Sequence, residues 1–112
     1  MATVDDCHDA LERLAERLAQ VDDHERRKHA FDRTISCHVP DLDLTFYGEL
    51  REGHLRDITT KKSPRAQIRL TTKSDDLVAM TDGHLSFGQA WLKGKVKVEA
   101  SVFDLLKLRS LL

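Results

Sequence analysis

The strongest constraint on the fold of this chain is a period-two alternation of apolar and polar residues between positions 34 and 72. The alternation runs through four segments, TISCHV (34–39), DLDLTFYGEL (41–50), LRDITT (55–60) and AQIRLTT (66–72). In each segment apolar side chains share one face, which is typical of antiparallel strands with one packed face and one face in water. We therefore predict four consecutive strands, with a turn at Gly53 between the second and the third.

Helical periodicity precedes and follows these strands. Near the start of the chain, Leu11, Leu14, Leu18 and Val21 form one apolar stripe on a helix that Thr3 caps, with Asp6 at the capping-box position. After residue 73 the pattern predicts two short helices, SDDLVAMTDG and LSFGQAWLKG. A strand, KVKVEA, and a final helix, SVFDLLKLRSLL, follow them.

The later helices carry their own start and stop signals. Ser74 is expected to cap the first and Gly83 to end it, whereas Ser101 caps the last, with Asp104 at the capping-box position. This order predicts one α+β domain spanning residues 1–112, with a five-stranded, mostly antiparallel, mixed sheet covered on one face by helices. Because two helices precede the fifth strand, we expect it to join its neighbour in parallel.

The composition is that of an ordinary globular domain, since 40% of the 112 residues are hydrophobic and 33% are charged. No apolar run approaches the length that crosses a bilayer, and the acidic N-terminal segment lacks the regions of a signal peptide. We therefore expect a cytoplasmic protein. Cys7 and Cys37 are far apart in sequence and are typical of free thiols in a reducing compartment.

Charge is divided unevenly along the chain. Residues 1–60 contain 14 Asp and Glu against 8 Lys and Arg, whereas residues 61–112 contain 5 against 10. The basic half is compatible with transient contact with an anionic membrane surface or with acyl-CoA phosphates, although a solvated face is the simpler explanation. The first candidates for such contact are Lys93, Lys95, Lys97 and Lys107. Nucleic acid is not an expected partner, because the chain is not basic overall.

Motifs of catalytic or metal sites are absent from the sequence. It contains no glycine-rich phosphate loop, no G-x-S-x-G and no H-E-x-x-H, and its six histidines lack metal-ligand spacing with a partner. Cys37 and His38 point to opposite faces of a strand, and a first helical turn explains Asp75 and Asp76. We expect no catalytic residue, no metal and no cofactor, and hence a protein that is not an enzyme.

The last segment is unusually apolar for a surface helix. Its polar arc consists of Asp104, Lys107, Arg109 and Ser110, which is narrower than the polar face of most surface helices. Its apolar residues are Val102, Phe103, Leu105, Leu106, Leu108, Leu111 and Leu112. We interpret this segment as a helix with two apolar sides. One side packs on the sheet, and the other faces another helix, a second protomer or an apolar ligand.

Several short motifs follow one another in a fixed order from Ala66 onward: an L-T pair, S-D-D-L, a Gly, G-K-V-K-V and a final K-L pair. The residues involved are Leu70, Thr71, Ser74, Asp75, Asp76, Leu77, Gly83, Ala90, Gly94, Lys95, Val96, Lys97, Val98, Lys107 and Leu108. In this order they resemble the sterol carrier protein 2 (SCP-2-like) sterol-binding domain family. The resemblance implies a five-stranded sheet with an apolar tunnel beneath helices, and non-catalytic binding of sterols, fatty acids or acyl-CoA.

The function predicted is therefore binding and transfer of a lipid or fatty acyl ligand in an apolar cavity between sheet and helices. The candidate lipid-binding residues are Phe46, Met80, Leu85, Phe87, Trp91, Phe103 and Leu106. The final helix is expected to be both a core element and the movable wall of this cavity. Two alternatives stay open: a structural module with a filled cavity that forms a homodimer through the C-terminal helix, or an accessory subunit of a lipid-modifying enzyme.

Overall fold

The structure is a computed structural model that describes residues 1–19, 32–52, 54–62 and 64–110. In chain order its elements are α1 (Val4–Ala19), β1 (Arg33–Val39), a 3-10 helix (Pro40–Leu42), β2 (Leu44–Arg51), β3 (His54–Thr59), β4 (Ile68–Thr72), α2 (Ser74–Asp82), α3 (Phe87–Leu92), β5 (Val96–Glu99) and α4 (Val102–Ser110). Outside this description lie Val21, Gly53, Leu111, Leu112 and the side chains of Leu18 and Leu108. No helix in the described ranges is long and apolar enough to cross a bilayer.

The five strands form one sheet in the order β3-β2-β1-β4-β5. β2 pairs antiparallel with β1 and with β3, and β5 pairs antiparallel with β4. β1 and β4 pair in parallel, with Ile35 opposite Ile68. The predicted fold class, an α+β domain with a five-stranded, mostly antiparallel, mixed sheet and helices, is confirmed.

The expectation that the fifth strand joins its neighbour in parallel is wrong. Val96 at the start of β5 lies opposite Thr72 at the end of β4, so the two intervening helices leave and return at the same end of the sheet. A connection of this kind produces an antiparallel pair, because a parallel pair needs a connection that crosses to the opposite end. The crossing occurs between β1 and β4, where the β2–β3 hairpin and the following loop return the chain to the end at which β1 begins.

The core lies between the sheet and the helices α1 and α2. Its buried cluster consists of Cys7, Leu11, Cys37, Val39, Phe46 and Leu77. Each large apolar side chain that is fully removed from water contributes roughly 1.5–3 kcal/mol. The capping box that starts α1 is confirmed, since Asp6 N–H donates to Thr3 Oγ1 and Thr3 N–H donates to Asp6 Oδ2, both at 3.0 Å.

The start of α2 differs from the prediction. Ser74 is not the cap but the first helical residue, and Lys73 before it provides no side-chain cap. Asp41 of the 3-10 helix takes this role instead: it accepts hydrogen bonds from Ser74 N–H at 2.9 Å and from Ser74 Oγ–H. The end of α2 agrees with the prediction, because Gly83 adopts a φ of 84° at the C-cap.

Candidate functional site

Burial on the helix-facing side of the sheet is uneven. Cys37 and Phe46 are 5% and 2% exposed. Ile35 and Leu50 continue the same alternation on the same face but are only half-buried, as are Leu44 and Leu70. Apolar surface that the fold directs toward its core is therefore left partly accessible.

We call the part of this surface around Gly48 the apolar floor. It consists of Ile35, Gly48, Leu50, Leu55 and Ile58. Gly48 lies opposite Ile35 in the β1–β2 ladder. A Cβ atom at Gly48 would lie 3.3 Å from the carbonyl oxygen of Arg56 and 3.4 Å from Leu55 Cδ1, which is a tight fit. The glycine therefore lets β3 pack closely against β2 and adds no side chain of its own to the floor.

A β-bulge in β3 brings two apolar side chains to this face. Opposite Gly48 the register of the β2–β3 pair shifts, and Asp57 there adopts a φ of 58°. The extra residue lets Leu55 and Ile58, three positions apart, both face the floor. Leu55 pairs with Leu50, and Ile58 packs against the buried core. The bulge thus widens the apolar surface beyond what strict alternation would give.

A partly buried ion pair ties α4 to the end of the floor. Arg33, the first residue of β1, holds the carboxylate of Asp104: its Nε lies 3.1 and 3.0 Å from Oδ1 and Oδ2, and its Nη2 lies 3.0 Å from Oδ1. Hydrogen bonding to this carboxylate raises the pKa of the Arg33 guanidinium above its ordinary value. The predicted cap of α4 is confirmed, because Asp104 N–H donates to Ser101 Oγ at 3.2 Å.

The opposite side of α4 is also apolar. Val102, Phe103 and Leu106 are 75%, 70% and 63% exposed, whereas Leu105 is half-buried and Asp104 is 5% exposed. The prediction that this helix has more apolar surface than one packing face can use is confirmed for the described side chains. An exposed apolar cluster of this kind is more often found where a protein meets a ligand or a partner than on an inert surface.

Four of the seven candidate residues lie in or against the core or on the short helix α3, and Leu85 lies just before that helix. Phe46 is buried in the core, and Met80 packs against the same cluster. On α3 the rings of Phe87 and Trp91 are 5.8 Å apart between centroids and tilted by 58°, and the nearby Leu85 is half-buried. The structure therefore places Phe46 in the core cluster and Met80 against it, and it brings Phe87 together with Trp91.

The remaining two candidates, Phe103 and Leu106, lie on the exposed side of α4. A lipid-binding role for the seven residues stays a prediction. The floor residues Ile35, Leu50 and Leu55 are not among the predicted site residues, because Met and large aromatic side chains defined that prediction. Period-two alternation in β1 and β2 was the signal that could have identified them, since it extends without interruption from the buried positions to the half-buried ones.

The two cysteines are buried and free. Burial raises the pKa of the Cys37 thiol to about 12, and the nearby Cys7 adds to this effect. Burial likewise raises the pKa of Cys7. Both thiols are therefore protonated near neutral pH and are poor nucleophiles. In the part of the chain that the structure describes, no three His, Cys, Asp or Glu side chains are placed to hold a metal ion.

A depression with a volume of ≈ 380 Å³ lies where β4 ends and β5 begins. Three lysines line it, Lys73, Lys95 and Lys97, and two of them belong to the predicted basic surface. Lys95 Nζ lies 3.7 Å from Asp76 Oδ1, and Lys97 Nζ lies 3.3 Å from Glu99 Oε1. We call this region the lysine depression; its positive charge is partly balanced by these carboxylates.

Comparison with known proteins gives one family and one fold. The family model described as alkyl sulfatase C-terminal matches residues 11–112. Sterol carrier protein 2 like 2 from Aedes aegypti is 18% identical, with 96% of each chain covered and a TM-score of 0.64. Sterol carrier protein 2 from the same organism, solved in complex with palmitate, is 18% identical, with 99% of this chain and 96% of that chain covered and a TM-score of 0.64.

A larger enzyme contains the same fold. The sec-alkylsulfatase Pisa1 from Pseudomonas sp. is 23% identical over 88% of this chain, with a TM-score of 0.59, but this chain covers only 16% of the sulfatase. Comparison with curated proteins gives no match. At these identities the structural likeness shows the fold alone, and the fold is SCP-2-like, as the motifs from Ala66 onward predict.

Proposed function

The chain belongs to the alkyl sulfatase C-terminal family, and from this membership and the geometry of the sheet we propose that it binds a lipid without catalysing a reaction on it. The lipid is a fatty acid, a sterol or a fatty acyl-CoA, and its apolar part lies on the apolar floor beside α4. The observation that carries the proposal is the incomplete cover of the floor. Ile35, Leu50 and Leu55 are half-buried on the face that elsewhere forms the core.

The physical driving force is the removal of apolar surface from water. Each methylene group of an alkyl chain that becomes buried contributes about 0.8 kcal/mol. The floor is built from aliphatic side chains and one glycine, so it discriminates weakly between chains that differ by one methylene group. We therefore propose broad specificity, and binding with release rather than permanent retention. The likeness to a protein solved with palmitate supports a fatty acid as the first ligand to test.

All seven candidate residues belong to the proposed lipid site. Phe46 and Met80 mark the closed end of the space, because both belong to the packed core next to the floor. The other candidates contact the lipid where it extends beyond the floor toward α3 and α4; they are Leu85, Phe87, Trp91, Phe103 and Leu106.

Titration of delipidated protein with palmitate tests the proposal by calorimetry. Leu50→Gln places a polar group on the floor, and we expect it to weaken binding about tenfold, since burying an unpaired amide costs about 1–3 kcal/mol. Glu49→Gln is the matched control: it introduces the same side chain one position earlier, on the opposite face of β2. Its binding should equal that of the wild type. A folded, lipid-free wild type that binds no palmitate would refute the proposal and favour the filled-cavity alternative.

A second candidate function is that of an accessory domain for an enzyme acting on alkyl chains. The family match and the exposed apolar side of α4, formed by Val102, Phe103 and Leu106, favour it. Its ligand would be an alkyl sulfate rather than a fatty acid. Parallel titrations with palmitate and with a short sec-alkyl sulfate separate the two functions. Tighter binding of palmitate favours the carrier, and tighter binding of the sulfate favours the accessory domain.

Two further proposals concern the location of the protein and its oligomeric state. We propose a cytoplasmic location, which the two buried free thiols support. A homodimer through α4 is the alternative use of its exposed apolar side. Light scattering of the purified protein at two concentrations measures its mass, and a monomer at both would exclude the dimer.

A further inference from the structure

We propose that the Arg33–Asp104 ion pair is a latch that holds α4 against the sheet at the end of the apolar floor. When the pair separates, α4 swings away as a unit and the floor becomes accessible. The mobility of α4 is a property of the protein alone. Only its consequence for lipid exchange rests on the proposed function.

The geometry of the pair is that of a strong, directional contact. Two nitrogens of Arg33 face both carboxylate oxygens of Asp104 at 3.0–3.1 Å, and such forked, charge-assisted hydrogen bonds are roughly twice as strong as neutral ones. The side chains of Arg33 and Asp104 are 24% and 7% exposed. Salt in solution therefore screens the pair less than it screens the surface ion pairs of this domain.

In residues 102–107, the part of α4 whose side chains the structure describes, no apolar side chain is fully buried. A surface helix is usually fixed by burial of its apolar stripe, yet Val102, Phe103 and Leu106 are mostly exposed. In the described part of the chain, α1 and α3 make the closer helix–strand contacts, and α4 makes only sparse ones. Among residues 102–107, Asp104 is the most deeply buried side chain, so we place the attachment of α4 to the sheet at its ion pair.

The two partners differ in how firmly they are held. Arg33 pairs with Leu50 in the β1–β2 ladder, and its Nη1 donates to the carbonyl oxygen of Asp32 at 2.7 Å. Asp104 sits in the first turn of α4, which Ser101 closes by accepting Leu105 N–H at 2.9 Å. Only Ala100 and Ser101 separate α4 from β5. The helix therefore moves about these two residues, while Arg33 stays with the sheet.

Hydrogen exchange measured by mass spectrometry on the full chain tests the latch. Asp104→Asn keeps the shape of the side chain and removes its charge. A nine-residue helix that has left the sheet is only marginally stable in water and unfolds readily. We therefore expect exchange in α4 to accelerate about tenfold to a hundredfold, the change that follows loss of a charge-assisted hydrogen bond. Exchange in α1 and β1 should not change. Asp76→Asn is the matched control, because Asp76 pairs with Lys95 at the lysine depression, and it should leave α4 unaffected.

A double-mutant cycle separates a latch from a general loss of stability. Arg33→Gln and Asp104→Asn, alone and together, should accelerate α4 exchange to the same extent, because each removes the same contact. Additive effects, or equal acceleration in α1 and β1, would overturn the proposal. If Asp104→Asn does not fold, Asp104→Glu is measured instead, since its longer side chain misplaces the carboxylate. Faster α4 exchange then supports the latch, and unchanged exchange overturns it.

Palmitate dissociation connects the latch to the proposed function. In stopped-flow measurements with a fluorescent fatty acid, Asp104→Asn should release the ligand faster by the factor by which α4 exchange accelerates. If the wild type binds no lipid, the proposed function fails while the exchange experiment still decides on the latch. If lipid binds but its release rate is unchanged in a variant with a mobile α4, the latch exists and does not control the lipid.

Discussion

At the residue scale, one buried hydroxyl joins three segments that are distant in sequence. Ser74 is fully buried, and its Oγ accepts the N–H of Ala2 at 3.2 Å. The same Oγ donates to Asp41, whose other carboxylate oxygen accepts Ser74 N–H. The start of the chain, the connection between β1 and β2 and the first turn of α2 therefore meet at this side chain. Its contribution to stability should exceed that of an ordinary surface serine.

Ser74→Ala tests this arrangement. The substitution leaves the N–H of Ala2 without its acceptor and removes one of the two hydrogen bonds to Asp41. We expect the free energy of unfolding to fall by about 1–3 kcal/mol, because a buried partner is lost. Urea denaturation of wild type and variant measures the difference. Thr60→Ala, which removes a hydroxyl at an exposed position, is the control and should change stability by less than about 0.5 kcal/mol.

The same contact makes stability depend on pH. Hydrogen bonds from Ser74 hold the pKa of Asp41 below its ordinary value of 3.8. A carboxyl whose pKa is lower in the folded state stabilises the fold above its unfolded pKa, and this contribution is lost as the pH falls through the folded value. The difference between wild type and Ser74→Ala should accordingly narrow below about pH 4. A difference that grows on acidification would contradict this assignment.

At the element scale, the local patterns predicted the strands and helices, but not the contacts that join them. Alternation identified the buried face of β1, because a period of two is visible within seven residues. The partner of Ser74 lies 33 positions away and the partner of Arg33 lies 71 positions away. No short window contains both members of such a pair. For the same reason the local pattern predicted a capping role for Asp104 but not its ion pair with Arg33.

Substitution of Phe46 and of Phe103 by alanine should have different effects on stability, because one side chain is in the core and the other is on the surface. Phe46 is 2% exposed and lies in the core, with its ring centroid 6.4 Å from that of His8 on α1. Phe46→Ala should lower the free energy of unfolding by about 3–5 kcal/mol, because it leaves a cavity. Phe103→Ala should change it by less than about 0.5 kcal/mol, since this side chain is already in contact with water. Thermal and urea unfolding measure both values.

Titration with palmitate tests whether the exposed side of α4, which contains Phe103, also contacts the lipid. If α4 contributes to lipid binding, Phe103→Ala should weaken palmitate binding while stability remains unchanged. A large loss of stability in Phe103→Ala would instead show that α4 packs through this residue in solution, which would contradict its exposed position.

At the scale of the whole molecule, the apolar floor and the lysine depression lie toward opposite ends of β1. Arg33 begins this strand beside α4, whereas Pro40, which follows it directly, lines the depression. The sheet order also places the floor on β1, β2 and β3, and the depression beside β4 and β5. A membrane approached through the lysines would therefore leave the α4 end of the domain accessible. The uneven charge of the sequence indicated a basic surface, but only the folded sheet shows where it lies.

This separation predicts that membrane contact and lipid affinity can be changed independently. We expect the domain to co-sediment with anionic phosphatidylglycerol vesicles more than with neutral phosphatidylcholine vesicles. Binding should weaken as salt rises, because exposed charges are screened within about 8 Å at physiological ionic strength. Lys97→Gln should reduce sedimentation and leave palmitate affinity unchanged, and Lys62→Gln, in an exposed loop outside the depression, is the control. Equal sedimentation with both vesicle types would show that these lysines keep the surface solvated and have no membrane partner.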